Sequence, residues 1–551
     1  MTDNFDSVTN AGSDPMKPFD CVGCSVPDPI RKPGMPAHVL WTVLVIAVFA
    51  NAVSLFSSQL WVYPDSIDYI RLAGGIADRL DLTNELFLVR TPGYPLFLAA
   101  IFRIFGDGSP CAILIMQHVM AVAAAVLTSA TAWRLTSSRS ATIFAGSLCA
   151  CSLQILAYAN LVLTETPYTL TLIASVYCLV RYHQGEQRRW LVIASLLAGI
   201  GYLLRPVALY LVAVLSAAVL LQVWRTQGRR LPRLAVGLGW AMAPAMMVAA
   251  PGMVVSQFSQ GSLQAARCLD YVFYIRPVTF DGLDSTDSAA MRDIHQVVEE
   301  AKRNGSIAPD ADFRDRATVI QAYHAVRGLP FAESSKVLGQ AGRDIMLEHP
   351  WFITLGTLKY AAWMLLTPDP VYRFQPGGAP GRGGKRDTEA PIYDIGTYAF
   401  GEGSWEPLLR DYRHYIPLST ESRILTPWWT TLCLWFRTHV ENGHSVAGLG
   451  DHLFEELLGL CILGGVISLF RRDRAVWLLV ASVFSLHVFV STLFGGSQTR
   501  YAAPVKPILW LYLSLLLVTI LQALPSAVRI LVRRSVGRKL ESVQPDAPLG
   551  A

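Results

Sequence analysis

The stretch WVYPDSIDYIRLAGGIADRLDLTNELFLVRTPGYPLFLAAIFRIFG, residues 61–106, follows directly on the first long apolar run of the chain. It is too polar to span a bilayer and too rich in Leu, Ile, Phe and Tyr for a solvated loop. Asp65, Asp68, Tyr69 and Arg71 crowd its first part, whereas residues 92–105 are apolar but short of the ~20 residues that a span needs. This pattern predicts two interfacial helices joined by a polar turn, holding carboxylates at a membrane surface.

The rest of the chain reads as a scaffold for that surface. Of its 551 residues, 52% are hydrophobic and 16% charged. A soluble domain carries about 25% charged residues. Apolar runs at 39–60, 111–133, 141–163, 168–182, 190–204, 207–224, 234–255, 453–470, 475–494 and 503–524 predict an all-α polytopic membrane protein of about ten spans. The net charge of +5 does not signal nucleic acid, because the basic residues sit in short clusters between spans.

Those clusters set the orientation. Arg134 and Arg139, Arg181 with Arg188 and Arg189, Arg225 to Arg233, Arg471 to Arg474, and Arg529 to Lys539 all fall on one side, with Lys17, Arg31 and Lys32. Both termini are then cytoplasmic, and residues 61–106, 164–166, 256–451 and 495–504 meet outside. The implied organisation is a disordered cytoplasmic tail at 1–36, a seven-span module at 37–255 and an outer region at 256–451. Three C-terminal spans at 452–524 and a basic tail at 525–551 complete it. Within the outer region, the aromatic pieces 350–366 and 427–436 read as interfacial helices. As a crossing pair they would raise the count to about twelve spans, an alternative that Arg382, Lys385 and Arg386 favour.

The nine cysteines form no framework. Cys21 and Cys24 have no second pair for a zinc site, and only Cys268 and Cys433, both on the outer side, suit a disulfide. His349, His414 and His444 show no metal-ligand spacing.

Asp65 follows Pro64 and suits either a helix cap or a general base. Asp68, nearly one turn on, places a second carboxylate on the same face. Glu165 suits a helix start or an acidic site group. Arg205 and Arg500, close to hydrocarbon, either snorkel or act. Arginine heads beside carboxylates at a lipid boundary suit a ligand with an anionic head, phosphate above all, and an apolar tail.

The residues Tyr63-Pro-Asp-Ser-Ile-Asp-Tyr, Arg90-Thr-Pro-Gly-Tyr-Pro-Leu-Phe-Leu, Leu163-Thr-Glu-Thr and Arg500-Tyr resemble the GT-C superfamily of membrane glycosyltransferases. The likeness is strongest to its protein mannosyltransferase-like and aminoarabinose transferase-like branch. The resemblance implies transfer of a sugar from a polyprenyl-phosphate donor on the outer face of a bacterial inner membrane, by an inverting displacement. The acceptor, whether lipid, glycan or protein, is left open. Asp65 would be the catalytic base and Glu165 the second acidic group. The candidate substrate-binding set is Asp68, Tyr69, Arg90, Tyr94, Arg205, Lys359, Arg500 and Tyr501. No cofactor is required; a divalent metal is left open, since some superfamily members use one. A transporter or flippase of lipid-linked glycans is the rival class, and a surface polysaccharide polymerase or ligase is a third reading.

Overall fold

The structure is a computed structural model that describes residues 34–57, 64–88, 90–105, 110–185, 187–225, 230–260, 268–285, 287–366, 460–471, 473–495 and 499–541. These residues are helical in the main, and no strand occurs among them.

Helix α1 (Ala37–Ser57) is apolar along its length. The chain then forms α2 (Pro64–Arg79), a one-turn 3-10 helix at Glu85–Leu88 and α3 (Gly93–Phe105), the two expected helices. On α2, Tyr69, Leu72, Ala73, Ile76 and Ala77 are buried, the i, i+3, i+4 stripe of an amphipathic helix. That stripe shares a core with Tyr94, Leu98, Ile101 and Phe102 of α3. The polar turn between them is held by its own side chains. Asp81 accepts from the backbone N–H and the hydroxyl of Thr83 at 2.8 and 2.7 Å, and Asn84 accepts from the Leu86 N–H at 3.0 Å.

Helices α4 (Pro110–Thr136), α5 (Arg139–Ala150), α6 (Leu153–Ala159), α7 (Glu165–His183) and α8 (Arg189–Leu204) follow. The single span expected at 141–163 is thus two helices, broken at Cys151 and Ser152. Apolar composition does not reveal this break, and the far end of α6 is held by a distant side chain. Gln117 on α4 donates to the Ala159 and Leu161 carbonyls, at 3.0 and 2.9 Å, where α6 ends. Backbone groups released at membrane depth are tolerated when such a partner satisfies them.

After the turn Pro206–Leu209 come α9 (Tyr210–Arg225) and α10 (Arg230–Gln260). Pro244 inside α10 cannot donate to the helix ladder. Next to it, the Ser195 hydroxyl of α8 donates to Ala241 O at 2.6 Å and accepts from Ala245 N–H at 3.0 Å. One hydroxyl therefore bridges the opened rung and ties the two helices together.

A helical insert follows: α11 (Cys268–Tyr274), a π turn at Ile275–Phe280, α12 (Ala289–Arg303), α13 (Arg316–Arg327) and α14 (Phe331–Glu348). It has a core of its own, built from Tyr274, Met291, Ile294, Val298, Val319, Tyr323, Leu338 and Ile345. Ser288 and Asp315 cap α12 and α13, and Gly328, at φ 63°, ends α13. Helix α15 (Pro350–Leu366) leaves the insert, and its Met364 enters the core of the membrane module. The chain closes with α16 (Leu460–Leu469), α17 (Arg474–Gly495), a 3-10 turn at Thr499–Val505 and α18 (Lys506–Glu541). α15 packs against α17 and this turn.

Six described helices are long and apolar enough to cross a bilayer, over Ala37–Leu55, Ala112–Thr136, Pro206–Trp224, Leu231–Met253, Arg474–Leu493 and Tyr501–Ala523. Gly93–Phe105, Arg189–Leu204 and Leu460–Leu469 are shorter apolar helices. Of the other expectations, Cys21 and Cys24, the cluster Arg382, Lys385 and Arg386, the piece 427–436 and Cys433 lie outside the described residues.

Candidate active site

Arg90 is the hub of the first polar cluster. Its Nη2 donates to Asp65 Oδ1 at 2.6 Å and its Nε to Asp68 Oδ2 at 2.9 Å. The two carboxylates lie one turn apart at the head of α2, so one guanidinium fork reaches both. Arg90 is 20% exposed and each aspartate 23%, so the cluster is sheltered but open to a ligand. Burial opposes the Arg90 charge, yet the neighbouring Asp65 and Asp68 carboxylates hold the guanidinium above its usual range. Burial pushes the Asp68 carboxyl up, with Arg90 pulling the other way.

Beneath the hub lies an aromatic floor. The Arg90 guanidinium stands 5.5 Å from the Tyr69 ring centre, and Tyr69 meets Tyr94 edge to face at 5.1 Å. The Tyr94 hydroxyl donates to Gln117 at 2.8 Å, the residue that also supports the end of α6. One hydrogen-bonded line thus runs from the cluster floor to the end of α6.

Arg205 is the hub of the second cluster. Its Nη2 donates to Glu165 Oε1 at 2.6 Å and its Nε to the Thr164 hydroxyl at 2.8 Å. The rings of Tyr501 and Tyr168 stand 4.9 and 5.9 Å from the guanidinium. Glu165 is 1% exposed and Arg205 11%, so this pair is closed where the first is open.

The two clusters are built on one joint. Thr91, next to Arg90, donates its hydroxyl to the Leu204 carbonyl, next to Arg205, at 2.9 Å. A Cβ on Gly93 would fall 2.6 Å from the Leu203 carbonyl carbon and oxygen, so only glycine lets the start of α3 press on the end of α8. This is the physical content of the Arg-Thr-Pro-Gly-Tyr-Pro motif: it fixes the Arg90 loop on the α8 end that carries Arg205. Tyr69, whose phenol burial pushes up to about 12, feels Arg90 and Asp65 and also Arg205 and Glu165.

Of the residues named from sequence, Asp65, Asp68, Tyr69, Arg90 and Tyr94 come together in the first cluster, and Glu165, Arg205 and Tyr501 in the second. Lys359 is an exposed residue of α15 that faces Asp281 of the insert. Arg500 falls in the turn Thr499–Val505, and its side chain lies outside the described residues. Tyr168 and Gln117 carry no local signal of a role, and Thr91 and Thr164, though inside the quoted motifs, meet partners that lie far away in the chain. Asp65 and Asp68 are two carboxylates on one helix face, as a divalent metal would need, but the Arg90 guanidinium bonds both. No group of three His, Cys, Asp or Glu side chains that could hold a metal occurs among the described residues. This donor set fits a guanidinium, not a divalent cation.

Residues 89–250 match the family described as dolichyl-phosphate-mannose-protein mannosyltransferase. The matched segment, under a third of the chain, takes in Arg90 to Tyr94, Glu165 and Arg205, so the similarity falls on the stretch that carries most of the residues singled out from the sequence. No curated protein matches the chain. Among solved structures, the archaeal oligosaccharyltransferase AglB from Archaeoglobus fulgidus, in complex with an inhibitory peptide and a dolichol-phosphate, is similar at 11% identity and a TM-score of 0.43. That likeness covers 93% of this chain and 53% of AglB, so the chain spans about half the length of AglB. ArnT from Cupriavidus metallidurans in the apo state is similar at 14% identity and a TM-score of 0.35, over 87% of this chain and 78% of ArnT. The same protein bound to undecaprenyl phosphate gives 13%, 0.35, 86% and 78%.

Proposed function

We propose that the chain is an integral membrane glycosyltransferase that moves a sugar from a polyprenyl-phosphate donor to an acceptor hydroxyl on the outer face of the membrane. The observation that carries this reading is the open Asp65–Arg90–Asp68 cluster, joined by Thr91 and Gly93 to a closed cluster around Arg205.

In the proposed reaction the acceptor oxygen attacks the anomeric carbon from the face opposite the phosphate, and the configuration inverts. The bond from that carbon to the phosphate oxygen breaks, and polyprenyl phosphate leaves with the electron pair. Asp65 takes the acceptor proton. A carboxylate offers about four lone-pair positions, so accepting from Arg90 does not exhaust it. Arg90 orients Asp65, and the Asp68 carboxylate shares the load on the guanidinium. Arg205 supplies the fixed positive charge facing the leaving phosphate, in a sheltered setting where such charge acts strongly. Phosphate already departs well, so positioning and one base suffice.

The expected outer orientation rests on the Arg-rich loops. Two measurements test the reading. Mass spectrometry of the purified protein is expected to find co-purified polyprenyl phosphate or its glycosylated form; a preparation that neither carries nor binds such a lipid would defeat the donor assignment. In a background without native cysteines, Asn304→Cys is expected to react with an impermeant thiol reagent in intact cells, and Ser140→Cys not. The reverse pattern would place the carboxylates in the cytoplasm and end the proposal.

A further inference from the structure

His487 stands in the middle of α17, far in sequence from the first cluster and from Glu165 and Arg205, yet both of its ring nitrogens reach residues of the second cluster. It is fully buried. Its Nε2 lies 2.9 Å from the Tyr501 carbonyl oxygen, and its Nδ1 3.4 Å from the Tyr168 hydroxyl. The Ser491 hydroxyl lies 3.5 Å from Nε2. The ring also meets those of Tyr168 and Tyr210, at 5.7 and 5.8 Å between centres.

The partners settle the tautomer. A backbone carbonyl can only accept, so Nε2 carries the proton and donates to Tyr501 O. Nδ1 is then the acceptor, and the Tyr168 hydroxyl donates to it. One imidazole therefore holds the main chain of Tyr501 with one nitrogen and the hydroxyl of Tyr168 with the other. The rings of these same two tyrosines face the Arg205 guanidinium. They reach Arg205 from α7 and from the turn Thr499–Val505, elements that only tertiary folding brings together.

We propose that His487 is a positioning residue of the site: it sets the Tyr501 ring over Arg205 and thereby makes the C-terminal helices part of the phosphate-facing wall. The assignment rests on the proposed function for its ligand, and on the hydrogen bonds for its geometry. The region matched by the mannosyltransferase family ends at residue 250, so His487 and Tyr501 are contributed from beyond it. Histidine is suited to the task because it supplies one donor and one acceptor on opposite sides of a rigid ring.

The two nitrogens can be tested apart. In His487→Gln the amide nitrogen reaches about as far as Nε2 and keeps a donor for Tyr501 O. In His487→Asn the shorter side chain mimics only Nδ1. The full chain in lipid nanodiscs is measured for binding of undecaprenyl phosphate and for backbone amide exchange at residues 499–505. His487→Ala and His487→Asn are expected to weaken the lipid about five- to tenfold, the worth of one hydrogen bond and a cation–π contact. They are also expected to speed exchange at 499–505 but not in the insert. His487→Gln is expected to return both readouts to near the wild-type values. Wild-type exchange in His487→Ala overturns the proposal. So does faster exchange at 499–505 with unchanged affinity, because the histidine would then hold the fold and not the site. Equal behaviour of the Gln and Asn variants, as general destabilisation would produce, overturns it too. A wild-type protein that binds no undecaprenyl phosphate refutes the proposed donor instead, and the exchange pattern and its rescue by Gln then decide the anchor alone.

Discussion

The two arginine clusters share a guanidinium held by carboxylate and differ in exposure and in how the charges are matched. Asp65, Asp68 and Arg90 are each about one-fifth exposed, and one guanidinium is shared between two carboxylates. Glu165 and Arg205 form a one-to-one pair, with the glutamate 1% exposed and an aromatic ring on either flank of the arginine. An open, over-supplied pair can trade a partner for a substrate. A closed, matched pair resists that, because separating buried opposite charges leaves one uncompensated. On the proposed function, this comparison divides the labour between the two acidic groups named from sequence: Asp65 would do the chemistry, and Glu165 would hold Arg205.

Apart from Asp65 itself, the largest expected effect is at Glu165. Glu165→Gln keeps the shape and leaves Arg205 without its counter-charge. Breaking a buried pair from one side costs about 3–5 kcal/mol, so thermal unfolding of the variant should begin well below that of the wild type. A variant that melts like the wild type yet has lost transfer would break the comparison, since Glu165 would then belong with the chemistry.

A middling effect is expected at the joint. Gly93→Ala drives a methyl group into the Leu203 backbone, which cannot rotate away as a side chain would. Overpacking of this kind costs about 1–3 kcal/mol. Because the joint carries both arginines, lipid binding and transfer should fall together in this variant. Loss of one without the other would show that the clusters are not coupled through α3 and α8.

The smallest expected effect is at Asp68. Asp68→Asn leaves Arg90 wholly to Asp65, which ties up the base more tightly. A charged hydrogen bond is worth about 1.5–3 kcal/mol, and only part of it is lost with an amide, so a fall in transfer of about tenfold is expected with unchanged melting. A fall as deep as that of Asp65→Asn would make the two carboxylates equal partners and blur the division.

The sequence makes the first cluster legible and conceals the second. Tyr69, Leu72, Ala73 and Ile76 mark α2 by their spacing alone, and Asp81, Thr83 and Asn84 mark its turn by their chemistry. The Arg90 motif lies in the same stretch as its carboxylates, so local reading brings them together. Glu165 and Arg205, by contrast, stand 40 positions apart, and nothing in either neighbourhood tells that they pair or that the pair is buried. The end of α6 is hidden because Gln117, which supports it, sits on another helix. His487 was hidden for the same reason on a longer scale, with its Tyr168 partner 319 positions away. Periodicity reports what a segment buries; it cannot report which distant side chain meets it there.

The most direct test of the account is single-turnover transfer by Asp65→Asn, measured beside undecaprenyl phosphate binding and melting on the same preparation. Asparagine keeps an acceptor oxygen for Arg90 but cannot take up the acceptor's proton. Wild-type melting and near wild-type lipid affinity are expected, with transfer reduced about 10²-fold or more, the usual contribution of a positioned base. Near-normal transfer by this variant would contradict the account and leave Asp65 as a structural partner of Arg90.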